Sequence, residues 1–152
     1  MIRFKYTSTP LVAAELDEVE QCLGFRFPPG FRDLYLQFNG GRPEKDRFVD
    51  DKGPCIVDSF LPIKYAIPAL STLELSFRRV KIDQSLVPDH LVPFAVDPFG
   101  NYYCFSIREQ DVGAIFLVLM DKHDPQSAIE YLTPSLSSFL AELRTKDPST
   151  KT

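Results

Sequence analysis

The sequence predicts an α+β domain: a largely antiparallel sheet of about five to six strands with helices packed on one side, an N-terminal two-helix corner and a C-terminal helix. Three observations carry this expectation: helical spacing of apolar residues before residue 40, alternating strand patterns after Pro88, and a final apolar stripe at helical spacing. The 152 residues read as one domain spanning 1–152, with no internal repeat or linker. Its core is expected over about 10–144 and a frayed tail at 145–152.

Thr9-Pro10 reads as an N-cap and first helical residue, and Val12, Leu16, Val19 and Leu23 then share one stripe. A first helix is therefore expected over 10–23, ending at Leu23-Gly24. Pro28 and Pro29 impose extended backbone before them and pre-set φ for a second helix that begins near Gly30. Phe31, Leu34, Tyr35 and Phe38 fall at i, i+3, i+4 and i+7, a face that must be buried. Asn39-Gly40-Gly41 tolerates positive φ and reads as the C-terminal cap of that helix.

The charged stretch 42–52, broken by Pro43 and dense in turn formers around Asp50-Asp51-Lys52-Gly53-Pro54, is expected to be an exposed loop with a short strand at 47–49. Cys55-Ile56-Val57 is the next strand candidate, and Pro62 places 60–64 at a sheet edge. Leu70, Leu73, Phe77 and Val80 predict a third helix. Strands at 92–97 and 101–107 flank Asp97-Pro98-Phe99-Gly100-Asn101, the composition of an antiparallel hairpin turn. Tyr103, Phe105 and Ile107 share one face of the second strand; Tyr102, Cys104 and Ser106 share the other. Gly113 opens a third strand whose unbroken apolar run 115–120 implies a central place or burial on both faces. A short strand at 129–132 pairs beside it, and Pro134 starts a helix striped by Leu136, Phe139, Leu140 and Leu143.

Lysine and arginine total 17 against 21 acids, a formal charge of −4, so the chain lacks the basic footprint that direct nucleic-acid binding needs. Residues 1–6 hold no signal-peptide apolar core, and the longest apolar run, 114–120, is too short to span a bilayer. Cys22, Cys55 and Cys104 are odd in number, far apart and set among apolar residues. That pattern suits buried thiols in a reducing compartment, so a cytoplasmic location with no membrane contact is expected.

Asp121-Lys122-His123-Asp124, with Asp97 on a neighbouring strand, offers oxygen and nitrogen donors to a metal, but no paired-ligand motif accompanies them. A polar strand end is the better reading. His90 lies in a loop composition and reads as solvent-exposed, and the cysteine spacing indicates no base for a nucleophile. Gly40-Gly41 follow a helix, whereas a phosphate cradle precedes one. Glu15, Asp17, Glu18 and Glu20 read as a solvated helix face. The residues thus point to a binding protein with no catalytic residue, metal or cofactor.

In this order of elements the chain resembles the SUKH superfamily, which includes many bacterial immunity proteins that neutralise polymorphic toxins and a fungal branch that regulates cell-wall synthesis. The resemblance covers about residues 11–143. Its carriers are an acidic helix ending Leu23-Gly24, a proline pair beginning at Pro28, and an aromatic helix closing at Asn39-Gly40-Gly41. The strand at 91–97, the Gly100-Asn101 turn, the strands at 102–105 and 113–123, and the helix at 135–143 complete it. Members often carry a tryptophan in the strand after Gly113, and this chain has none. The resemblance implies an immunity protein that occludes a cognate toxin domain; many such toxins are nucleases, whose positive groove an acidic inhibitor complements. An intracellular adaptor on the same scaffold is the alternative. Asp50, Asp51, Asp97, Asp121 and His123 are the expected partner contacts, on a chain acting as a monomer or weak homo-oligomer.

Overall fold

The chain opens with β1 (Phe4–Lys5), α1 (Ala13–Leu23) and α2 (Phe31–Gln37). Four short strands follow: β2 (Arg42–Pro43), β3 (Arg47–Asp50), β4 (Gly53–Ile56) and β5 (Ser59–Phe60). Next, α3 (Leu73–Arg78) runs into a π-helical turn at Arg79–Asp83. The second half holds β6 (Leu91–Val96), β7 (Tyr102–Ser106), β8 (Ile115–Val118), α4 (Pro125–Ala128), β9 (Ile129–Thr133) and α5 (Leu136–Glu142). This computed structural model describes residues 2–50, 53–83, 87–122 and 124–145. The expected tail from 146 onward lies outside them.

Strands β5 to β9 form one antiparallel meander in chain order, while β1–β2 and β3–β4 are separate two-stranded ribbons. The architecture is the expected α+β arrangement. Alternation along β7 puts Tyr103 and Phe105 on one face and Tyr102 and Cys104 on the other, and each face meets a different cluster. On the first face, Leu16 and Val19 of α1, Phe31, Leu34 and Tyr35 of α2, and Leu136 and Phe139 of α5 close over the sheet. Aromatic rings dominate there: Phe31 lies 4.5 Å from Phe105 and 5.2 Å from Phe94, and Phe139 lies 5.2 Å from Phe48. Each such pair contributes about 0.5–1.5 kcal/mol beyond its area burial. On the second face, Val80 and Val87 pack with Leu91, Cys104 and Val118 in a smaller cluster.

Two carboxylates of α1, Asp17 and Glu20, hold the corner between α1 and α2 by pairing with Arg32 of α2 at 2.8 Å each. Gly24, at φ +80°, caps α1, and its N–H donates to the Glu20 carbonyl at 2.9 Å. The Glu20 side chain accepts from the Phe27 N–H at 2.7 Å and from the Arg32 guanidinium at 2.8 Å, so it spans the corner. Pro28 is buried.

Several boundaries differ from the expectations, each for a tertiary reason. Helix α1 starts three residues later than Thr9-Pro10 suggests, because Thr9 is engaged elsewhere: its carbonyl accepts from the Asn39 side chain at 2.8 Å. Val12 is the N-cap, and its N–H donates to the Glu15 carboxylate at 3.0 Å. Asn39-Gly40-Gly41 does not cap α2. Phe38, extended at φ −138°, is the C-cap, and the glycines serve close backbone packing instead. Gly41 bridges Phe60 through reciprocal N–H···O bonds of 3.0 and 2.8 Å, and a Cβ on Gly40 would stand 2.8 Å from the Phe60 carbonyl oxygen. The expected loop at 42–52 contributes β2, where Pro43 pairs with Phe4, and β3. Strand β5 ends at Phe60 rather than 64: the Asn39 side chain, not a strand, pairs with the Ile63 backbone, and Lys64 takes a positive φ of 64°. The third helix begins at Leu73, capped by the Thr72 hydroxyl, and its π-turn places Val80 in the second-face cluster while Phe77 packs on the first.

Candidate interaction surface

At one end of the meander the hairpin turn between β6 and β7 is locked by its own first residue. The Asp97 carboxylate accepts from the Phe99 N–H and the Asn101 N–H, both at 2.8 Å, and from the Asn101 side-chain amide at 2.9 Å. The Asn101 side-chain carbonyl in turn accepts from the Met120 N–H at 2.9 Å, which ties the turn to the exit of β8. Gly100 takes φ +90°, a conformation open to glycine. The turn therefore holds Phe99 outward, 81 % exposed.

This tie brings Asp97 and Asp121 to the same end of the sheet, with Asp121 exposed and Asp97 half-buried. Asp124, exposed, enters α4 at that end, where the Leu119 N–H donates to Ala128 at 2.7 Å. The other expected contacts lie elsewhere. Asp50 closes β3 opposite Gly53 on a ribbon that, among the described residues, no ladder joins to the five-stranded sheet. Asp51 and His123 lie outside the described residues, as does the Asp50 side chain. Sequence reasoning missed Phe99, although an aromatic residue in an otherwise polar turn was a readable signal.

Several charged groups elsewhere are knitted into the fold. Glu15 accepts from the Tyr65 hydroxyl, from Val12 and from the Lys64 ammonium at 2.9 Å. These bonds, the Tyr65 contact foremost, lower its pKa to about 2. Arg108 grips Asp111 through two bonds of 3.1 and 2.5 Å, and Asp111 accepts from the buried Ser106 hydroxyl at 2.6 Å. The Lys81 ammonium donates to the carbonyls of Pro88, Asp89 and Leu91 at 3.0, 2.5 and 2.8 Å. His90 is half-buried rather than exposed, and burial followed by the Arg108 charge lowers its pKa.

The three cysteines do not share one environment, contrary to expectation. Cys104 is buried at the centre of the sheet, which pushes its thiol pKa up; Cys55 is half-buried; Cys22 is exposed on α1, its sulfur 3.6 Å from the Arg78 guanidinium. Among the described residues, no group of three or more His, Cys, Asp or Glu side chains is placed to hold a metal ion. The same residues contain no helix long and apolar enough to cross a membrane. An open groove of about 920 Å³ runs beside the α1–α2 corner, lined by Asp17, Glu20, Arg26 and Arg32 among others. A second, of about 470 Å³, lies between α1 and α3.

Compared with known families, residues 10–142 match the model of the SMI1 / KNR4 family (SUKH-1). A search of the curated proteins found no match.

Proposed function

This chain belongs to the SMI1 / KNR4 family (SUKH-1), and from that premise we propose that it is a non-catalytic, immunity-type protein that binds and neutralises a cognate bacterial toxin domain in the cytoplasm. The match across residues 10–142 is the observation that carries this reading. The acidic end of the sheet supports it. Asp97 and Asp121 lie at the same end of the sheet as the outward Phe99 ring, which sits on a turn already locked in place, and this suits a partner surface with positive potential. A nuclease is one such partner, because its substrate groove is basic. Asp50, Asp51, Asp97, Asp121 and His123 are the proposed contacts. Asp97 acts in part through the turn it locks, since both its oxygens accept bonds within the hairpin.

Co-expression tests the reading. Cells producing the toxin domain encoded by the adjacent reading frame are expected to survive when this protein is present, and the two proteins to co-purify. Failure of rescue with every adjacent toxin domain, together with stable capture of a non-toxic partner, would replace it with the intracellular adaptor reading.

A further inference from the structure

An antiparallel sheet with one face toward solvent ordinarily carries polar residues on that face. The second face of this sheet departs from that rule. Val80 and Val87 cover it around Cys104 and Leu91, but Tyr102, Met120 and Ile129 toward the Asp97 end, and Phe116 opposite Cys104 toward the β9 side, stay half-buried. Register places them side by side: Tyr102 opposes Val118, which opposes Ile129, and Phe116 opposes Tyr131. The Phe116 and Tyr131 rings meet edge to face at 5.6 Å, and Tyr131 is 59 % exposed. Phe99 stands at the hairpin tip beyond this patch. Five large apolar side chains thus share the β7–β9 part of this face, with Phe99 at the hairpin tip at its Asp97 end, and they are of the kind that dominates binding energy.

We propose that this open aromatic half-face is where the partner protein docks, and that the partner brings apolar side chains ringed by lysine or arginine. The proposal rests on the partner-binding reading above and names its surface. Charge decides the occupant. Asp97, Asp121 and Asp124 stand along the end of the patch, against Lys122, and the chain as a whole carries −4. A second copy would add the same net negative charge, whereas a basic-rimmed partner complements it. Because the patch lies on ladder-paired strands and a locked turn, docking needs little ordering of this chain.

Binding of the toxin domain encoded by the adjacent reading frame, in an inactivated form, is measured against Tyr131→Ser, Phe99→Ser and the double variant. These side chains are exposed, so the fold is kept; the control is Tyr6→Ser, 77 % exposed near the N-terminus. Each single variant is expected to weaken binding by about tenfold and the double variant by about a hundredfold, with Tyr6→Ser unchanged. Affinity is also expected to fall as salt rises. If wild type binds and rescues but the three patch variants do so equally well, the surface is wrong and the partner reading stands. If wild type neither binds nor rescues, the partner reading falls and this proposal with it. A stable dimer of the protein alone that Tyr131→Ser dissociates would assign the patch to a second copy and overturn the proposal.

Discussion

The side chain of Asn39 clasps the backbone of Ile63. Its Oδ1 accepts from the Ile63 N–H at 2.7 Å and its Nδ2 donates to the Ile63 carbonyl at 2.9 Å, so the amide pairs with that residue as a neighbouring strand would. A second bond from Nδ2 to the Thr9 carbonyl joins the N-terminal segment to the same point, and Asn39 is only 2 % exposed.

Replacing Asn39 therefore leaves buried backbone groups unpaired. Asn39→Ala is expected to cost about 2–4 kcal/mol, and Asn39→Asp at least as much, because a carboxylate cannot donate to the two carbonyls. Urea midpoints at unchanged m-value are the measurement, and a loss under about 0.5 kcal/mol would show that water replaces the amide.

Glycine substitutions separate close packing from backbone conformation alone. Gly24 and Gly40 both take positive φ, but a Cβ on Gly24 meets nothing within 4 Å while one on Gly40 meets the Phe60 and Pro62 backbone at 2.8 Å. Gly24→Ala is expected to cost about 1 kcal/mol and Gly40→Ala several times that. Equal losses in thermal unfolding would contradict the close approach.

The Glu15 cluster sets part of the acid response. A carboxylate held near 2 in the folded protein, against an ordinary value of 4.5, contributes stability that is fully present above that ordinary value and is lost as pH falls toward 2. Tyr65→Phe removes the largest cause, so its stability should decline less steeply between about pH 4.5 and 2 than that of wild type. Parallel curves for the two proteins would remove Glu15 as the source.

Thiol chemistry reports the two sides of the fold. Cys22 is exposed beside Arg78, and Cys104 is wholly buried with its thiol held protonated. A thiol reagent at pH 8 is expected to modify Cys22 within minutes and to reach Cys104 only with global unfolding. Early modification of Cys104, located by peptide mass, would mean that the Val80 segment opens independently of the rest.

The elements that sequence spacing located well are those whose cause is local. The 97–101 hairpin is written in Asp97, Gly100 and Asn101, and α5 in its stripe and its Ser135 cap, whose hydroxyl accepts from the Ser138 N–H at 3.1 Å. The misjudged features depend on residues distant along the chain. Thr9 looked like a cap because nothing nearby announces Asn39, and Glu20 looked solvated because Phe27 and Arg32 reach it only after the corner has formed. Cys22 was misplaced since its side of α1 faces a groove, which spacing does not reveal. The aromatic half-face escaped notice for a related reason: Phe116 and Tyr131 are 15 positions apart, and only the β8–β9 register sets them together.

The reciprocal bonds between Gly41 and Phe60 seal the β5 margin of the meander, whereas no strand among the described residues pairs along the outer side of β9. Growth by edge addition is consequently one-directional. Among the described residues, two molecules that joined there would each have used up the open β9 margin of the meander, so that joint sheet would be finite. An endless stack of such meanders is denied to the folded protein by the bridge between Gly41 and Phe60.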